Sequence, residues 1–418
     1  MGDELLEGRT LDSNSRDIQR ALGGHGMQVE LVQVVPDRQD AVVQALERTG
    51  PGDLVFLCGG LGSTPDDLTR EAVAAWAGVD LPEDERALEM IRVRYRKRGR
   101  TMRPEVARQA RVPAGMKPLA NPVGSAPGLI GTLRGREVVL LPGFPAELAG
   151  LLPSVIRELD ARGLLPPVRR SLSRRLAQVP ELAVVDLCRP LMDDHPGLKW
   201  SWWVTEWGVD LRVAASVPGD EGSVLDEVAD RLDAALGHLV FSRDGRDLPE
   251  VVQRMMKERG ASCGVAESCT AGLIGGALTR NPGASDFFKG GFLVYADEAK
   301  TMLLGVKAAD LASHGAVSEP VVRAMATGCR DRLGCDYALA VSGISGPGGG
   351  TKEKPVGTTW VAVATPSGIF AHCYLFPADR RRNRLLTVAA AVDSLRRVLR
   401  FGDDTDPWSM STAWDLPS

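Results

Sequence analysis

Apolar and polar positions along this chain fall into short blocks whose period switches repeatedly. Residues 27–35 alternate as a strand does, and residues 39–48 repeat at the spacing of an amphipathic helix. Residues 53–58 are almost continuously apolar, the pattern of a strand buried on both faces. That run ends in Gly59-Gly60-Leu61-Gly62-Ser63-Thr64-Pro65-Asp66-Asp67, and a helical stretch follows at 68–77. Another strand at 138–141 meets Pro142-Gly143-Phe144-Pro145, with a helix expected from Ala146. Repeated strand, loop and helix units predict an α/β fold, with a parallel sheet between two helical layers.

Leu164-Leu165-Pro166-Pro167 reads as a linker. Beyond it, residues 169–177, 198–204 and 208–216 alternate like strands and 221–236 like a helix, which predicts a small α+β module. Its Trp200, Trp202, Trp203 and Trp207 suit a stacking platform, or else core packing. A third region opens with a helix at 249–259 and a strand at 262–266, then an amphipathic segment at 273–280. Strands at 290–295 and 336–341 follow, then a hairpin of 357–365 and 368–376 across Pro366-Ser367, and a closing helix at 380–400. The expected domains are 1–166, 167–246 and 247–402, with a polar, turn-rich tail at 403–418 expected to be disordered.

Composition narrows the class. At 418 residues the chain exceeds one ordinary core. Hydrophobic content of 44% and charged content of 25% are those of a soluble globular protein, and a net charge of −4 leaves no nucleic-acid footprint. One basic run, residues 92–103, lies on an expected helix and reads as a solvated face. Seven scattered cysteines without a paired spacing argue against a disulfide framework or structural zinc and for a reducing cytoplasm. No stretch of about 18 apolar residues suggests a membrane span.

Candidate chemistry gathers in the third region. Ala266-Glu267-Ser268-Cys269-Thr270-Ala271-Gly272 joins a strand to a helix, which would set the Ser268 hydroxyl beside helix N-terminal amides that suit an oxyanion. The same residues also suit a helix cap. A second strand ends in Tyr295-Ala296-Asp297-Glu298-Ala299-Lys300, and a third in Ser342-Gly343-Ile344-Ser345-Gly346-Pro347-Gly348-Gly349-Gly350-Thr351. Parallel strands would bring all three turns to one carboxyl edge, where open α/β sheets bind ligands. Consecutive amides in the glycine run can cradle a phosphate, yet the run is not a Walker loop, because no Gly-Lys-Ser/Thr end is present. None of the five histidines lies in these turns, so Lys300 is the better base for Ser268, with Tyr295 to position it. Taken alone, Lys300 also reads as a solvated lysine.

Together these segments resemble the C-terminal domain of the competence/damage-inducible (CinA) family, the nicotinamide mononucleotide deamidases. The resemblance covers residues 262–401 and rests on Ala266 to Thr270, Tyr295 with Lys300, His314-Gly315-Ala316-Val317-Ser318-Glu319, the glycine run, and Lys354-Pro355-Val356-Gly357-Thr358. Ala271 departs from the family's second glycine and Ser345 from its alanine. What it implies is hydrolysis of nicotinamide mononucleotide to nicotinate mononucleotide and ammonia in pyridine-nucleotide salvage. Ser268 would be the nucleophile, Lys300 its base and Tyr295 a support. Glu267, Thr270, Gly343, Ser345, Gly346, Gly348, Gly349, Gly350 and Thr351 would line the substrate, with no cofactor.

Residues 2–160 resemble the family's N-terminal, molybdopterin-binding-like domain through Gly2 to Gly8, Ser13-Asn14-Ser15, Gly59 to Thr69, Asn121 to Gly128 and Leu141-Pro142-Gly143. The resemblance implies ADP-ribose pyrophosphatase activity with Mg²⁺ or another divalent cation. Gly59, Gly60, Gly62 and Asn121 would hold the nucleotide and Asp66 and Asp67 the metal, although the acidic pair also suits a helix cap. Related domains open with a strand before the Gly-x-Glu-Leu-Leu turn, whereas this chain starts inside it. The expectation is an upstream start or an impaired domain. Two alternatives stand beside the deamidase: the pyrophosphatase as main activity, or a non-catalytic partner in DNA uptake or repair. The expected ligand is a small mononucleotide, without direct nucleic-acid or membrane binding. A homodimer is expected, with the hairpin after Lys354-Pro355 as a candidate interface.

Overall fold

A computed structural model describes residues 1–166, 170–215 and 221–409. The chain divides into two compact units, Met1–Arg169 and Arg170–Ser418. In the first, β1 (Leu54–Cys58), β2 (Met116–Leu119), β3 (Gly128–Leu133) and β4 (Arg136–Leu141) form a sheet of order β1-β4-β3-β2. Leu129, Val138 and Leu140 face a core with the Thr69–Ala77 and Glu85–Lys97 helices, while Ile130, Val139 and Leu141 face the Asn14–Gly23 and Pro145–Ala161 helices. Three layers result.

The α/β class holds, but two details of the first sheet differ from expectation. Only β1 and β4 are parallel, and β2, β3 and β4 form an antiparallel meander. The β3–β4 hairpin turns on Arg134 and Gly135 at φ 49° and 73°, a left-handed pair that Asn-Gly or Asp-Gly usually announces. An arginine in that position hid the hairpin. The expected strand at 27–35 makes no ladder pairing, and Leu31 and Val32 are 66% and 45% exposed. Alternation holds a strand only where a whole row of side chains meets a core, and here only the end residues Met27 and Val35 do. Of the expected linker, Leu165 is buried in the first unit's core, and Pro167 lies outside the described residues.

In the second unit, β5 (Ser171–Ala177), β6 (Leu198–Val204), β7 (Gly208–Ala215) and β8 (Val240–Ser242) form an antiparallel sheet of order β6-β7-β5-β8. The Glu181–Asp194 helix, which the sequence reading missed, packs on it with the Glu221–Leu236 helix. Pro190 inside the former obscured its pattern. Trp200 and Trp202 pack against this core, whereas Trp203 is exposed.

The third sheet contains β9 (Cys263–Glu267), β10 (Phe288–Leu293), β11 (Tyr337–Gly343), β12 (Thr358–Ala364) and β13 (Ile369–Leu375) in the order β10-β9-β11-β12-β13. β10, β9 and β11 are parallel; β12 and β13 add an antiparallel hairpin. The Leu248–Arg259, Leu273–Leu278 and Arg380–Phe401 helices cover one face, and the Glu319–Leu333 helix covers the other. Ala177, Trp207 and Phe241 of the middle sheet join the first of these cores. Arg396 Nη2 donates to His238 O at 2.8 Å, adding a polar tie. That shared core explains why the middle module and the third region form one unit.

Ordered structure also runs further than expected. Asp403 Oδ1 accepts from Tyr337 OH at 2.7 Å, and buried Trp408 donates Nε1–H to Tyr374 OH at 2.5 Å and stacks on His372. Residues 403–409 thus pack on the hairpin that was expected to be an interface, because an indole can bury its ring while keeping its polar tip bonded. The rest of the expected tail, 410–418, lies outside the described residues. No described helix is long and apolar enough to cross a membrane.

Candidate active site

Register brings the three polar turns of the third sheet to one rim. Glu267 at the end of β9 pairs with Leu293 of β10 on one side and Val341 of β11 on the other. The ladder continues one step: Val294 N–H donates to Glu267 O at 2.9 Å, and Ser268 N–H to Val341 O at 3.2 Å. Ser268 therefore sits between the ends of two neighbouring parallel strands, and is 8% exposed. β13 also ends on this rim, since Leu375 pairs with Thr358, so the closing helix starts there.

Lys300 lies on the Asp297–Leu304 helix that follows β10, with 1% exposure. Its Nζ donates to Tyr295 O at 3.1 Å and to Asp297 Oδ1 at 3.2 Å. No hydrogen bond joins Lys300 directly to Ser268 among the described residues. Tyr295 is exposed, and its hydroxyl accepts from Arg380 Nη2 at 3.3 Å.

Glu267 and Thr270 are both fully buried and bond each other. Glu267 is fully buried; its Oε2 accepts from Thr270 Oγ1 at 2.6 Å, Gly272 N at 2.9 Å and Ile274 N at 3.1 Å, and its Oε1 from Gly275 N at 2.8 Å. The carboxylate caps the Leu273–Leu278 helix from within the preceding strand. Those helix amides are thus taken, which corrects the expected oxyanion site. The amides of Thr270 and Ala271, two and three residues beyond Ser268, have no acceptor among the described residues. Ala271 turns the chain at φ 51° and Gly272 at φ 96°, left-handed values that alanine adopts at a cost.

The glycine run divides by role. A Cβ on Gly343 would lie 2.6 Å from Thr359 Oγ1, on Gly346 2.7 Å from Val356 Cγ1, and on Gly350 2.7 Å from Val356 N. Those three are glycine because the chain packs against itself. Gly348 is open and exposed, and Gly349 has φ 89°. The amides of Gly348, Gly349 and Gly350 have no acceptor among the described residues. Ser345 is buried and bonded to the Cys269 thiol, whose pKa burial pushes up to about 11. Thr351 closes a local turn, exchanging bonds with Lys354, whose Nζ donates to His314 O at 2.6 Å.

Residues missed by sequence reading tie these turns together. Arg380 Nη1 donates to Gly346 O at 2.9 Å, and Asn383 Nδ2 to Ser345 O at 3.1 Å. Arg384 donates from Nε to Cys269 O at 3.0 Å and from Nη2 to Thr270 O at 2.7 Å. In a trans peptide the next amide points opposite to the carbonyl, so Arg384 turns the Thr270 and Ala271 N–H groups away from the closing helix. The signal was the run Arg380-Arg381-Arg382-Asn383-Arg384 behind the Asp379 cap.

In the first unit the expected ligand residues also serve the chain. Asp67 accepts from Gly62 N at 2.7 Å, Thr64 N at 2.8 Å and Thr64 Oγ1 at 2.5 Å. Asn121 donates to Ala126 O and Glu147 Oε2 and accepts from Val123 and Gly124 N–H. Asp66 is exposed, and its hydrogen bond with Thr64 lowers its pKa. A Cβ on Gly60 would lie 2.2 Å from Thr69 Oγ1 and on Gly59 2.8 Å from Met1 O, so both glycines make room for the chain itself. Buried Arg70, unnoticed in the sequence, donates to Leu61 O at 2.7 Å and Gly62 O at 2.6 Å. Among the described residues no group of three His, Cys, Asp or Glu side chains converges as metal ligands do. Asp67's two oxygens are taken by Gly62 and Thr64, and Asp66 is left exposed.

The first unit and the rim of the third sheet define a two-part α/β protein. Residues 1–161 match a probable molybdopterin binding domain, and residues 245–399 match a CinA C-terminal domain. The chain belongs to the CinA family. A CinA-like protein of Anaeromyxobacter dehalogenans (strain 2CP-C) is 40% identical over 411 residues, 96% of this chain and 98% of that protein. A putative competence-damage inducible protein of Symbiobacterium thermophilum is 39% identical over 418 residues, 96% of this chain and 97% of its own. A crystal structure of CinA, of unknown function, from Thermoplasma acidophilum is 41% identical, covers 38% of this chain and 94% of its own, and gives a TM-score of 0.34.

Proposed function

We propose that the C-terminal region hydrolyses the carboxamide of nicotinamide mononucleotide, with Ser268 as nucleophile and Lys300 as proton shuttle. The observation that carries this reading is the register of β9 with β10, which ends both crossings on one rim with the serine and the lysine just beyond. Ser268 Oγ attacks the carboxamide carbon while Lys300 takes the hydroxyl proton. Asp297 and the Tyr295 carbonyl then stabilise the ammonium that forms. The oxyanion is met by the unpaired amides of Thr270 and Ala271, which Arg384 aims. Collapse breaks the C–N bond, and the lysine's proton leaves with the nitrogen as ammonia. Water then attacks the acyl-serine, giving its proton to Lys300, and releases the carboxylate with Ser268 restored. The open amides at Gly348 to Gly350 suit the substrate's phosphate.

Ammonia release from nicotinamide mononucleotide, measured with wild type, Ser268→Ala and Lys300→Met, tests the reading. Both variants should lose at least about a thousandfold in kcat while keeping wild-type melting profiles. A Ser268→Ala enzyme within tenfold of wild type would reject the assignment.

A further inference from the structure

The outer edge of the middle sheet is built to pair with itself. β6 is its outer strand, and its ladder with β7 runs from Leu198↔Ala215 to Val204↔Val209 without a bulge. Thr205 N–H donates to Gly208 O at 2.8 Å, closing the hairpin with a hydrogen-bonded pair. Such pairs alternate along an antiparallel ladder, so Trp203, Ser201 and Lys199 also turn their backbone groups to β7. Val204, Trp202 and Trp200 therefore point theirs outward. Leu198 adds its carbonyl, its own N–H being held by His195 O at 3.1 Å. No described strand takes these groups. Long edges usually carry prolines, bulges or several charges against unwanted pairing. β6 has only Lys199, and three of its seven residues are tryptophan.

We propose that β6 pairs antiparallel with β6 of a second copy of this chain, about a two-fold axis at Ser201. In that register Trp200 meets Trp202 of the second copy, and Leu198 meets its Val204, so every inter-chain hydrogen bond uses an outward-facing residue. Ser201 meets itself. Lys199 meets Trp203 of the second copy in a pair without backbone bonds, where side chains approach most closely and an ammonium lies against an indole. Trp203 and Val204, 45% and 50% exposed in one chain, gain cover. A one-residue slip sets outward groups against inward ones and breaks the ladder. A two-residue slip shortens it and separates Lys199 from Trp203. The strand is thus its own best complement, which favours a second copy over an unrelated partner.

Cysteine cross-linking of the full chain tests this register. Ser201 pairs with itself at about 4.5 Å between Cα atoms, within disulfide reach. Ser201→Cys should therefore give a covalent dimer under mild oxidation, while Lys199→Cys and the parent chain do not. By light scattering the wild type should be a dimer at tens of micromolar. Trp203→Lys, which opposes two lysines, should be monomeric, and adding Lys199→Glu should restore the dimer. Val204→Pro removes only an outward N–H and should also weaken it, which guards against misfolding of Trp203→Lys. A monomeric wild type, or a dimer indifferent to these changes whose Ser201→Cys form fails to cross-link, overturns the proposal.

Discussion

Glu267→Gln separates a brace from a substrate contact. The replacement keeps shape and removes one acceptor and the charge. Three donors converge on Oε2 and one on Oε1, so the amide keeps more bonds with its oxygen on the three-donor side. Its NH₂ then faces Gly275 N–H, leaving a buried donor unpaired at about 1–3 kcal/mol. The three surviving bonds lose the assistance of charge, together about 2 kcal/mol. The sum, about 3–5 kcal/mol, is a large part of the roughly 5–15 kcal/mol that holds a domain folded. Urea unfolding followed by fluorescence, with ammonia release on the same samples, reads both consequences. The midpoint should fall and kcat with it, because the turn bearing Ser268 loses its anchor. An unchanged midpoint with a raised KM would refute the brace and make Glu267 a ligand contact.

Two further outcomes follow from the same region. Ala271→Gly relieves a left-handed alanine at φ 51° and should stabilise by about 0.5–1 kcal/mol, net of the freedom glycine adds to the unfolded chain; a lower melting temperature would contradict this. Asp393 is fully buried between Arg396 at 2.6 Å and Arg397 at 2.7 Å; burial alone would raise its pKa, but the two guanidiniums outweigh it and hold the carboxyl below its ordinary 3.8. Its contribution is complete above that value and is lost as pH falls through the lower, folded one. Asp393→Asn should cost about 3–5 kcal/mol at neutral pH, and its acid-unfolding curve should be flatter than the wild type's below pH 3.8; parallel curves would show that the triad does not titrate.

The elements legible in the sequence were those whose burial repeats plainly. Residues 53–58, 336–341 and 357–376 became β1, β11 and the β12–β13 hairpin, and the closing helix runs Arg380–Phe401. What failed to show was set by partners elsewhere in the chain. The Arg134-Gly135 turn lacks the usual residues, the Glu181–Asp194 helix carries an internal proline, and residues 27–35 alternate but meet a core only at Met27 and Val35. The candidate site was legible at the level of segments: the three turns named from sequence do share a rim, because β10, β9 and β11 are parallel.

Within those turns, residue type identified a polar group but not its direction. Glu267, Asp67 and Asn121 all stand beside glycine turns, where a sequence allows either a ligand or the chain's own amides as partner. In all three the amides win, because a sharp turn strips several backbone N–H groups of carbonyl partners at once, and burying them unpaired costs about 1–3 kcal/mol each. One side-chain oxygen pair nearby removes several such penalties without any ligand. The groups then left for chemistry are those the braces do not reach: the Ser268 hydroxyl, the amides of Thr270 and Ala271, and those of Gly348 to Gly350. A substrate at this rim would therefore be held mainly by backbone amides, and those of Thr270 and Ala271 are aimed by Arg384 rather than by residues that touch the substrate.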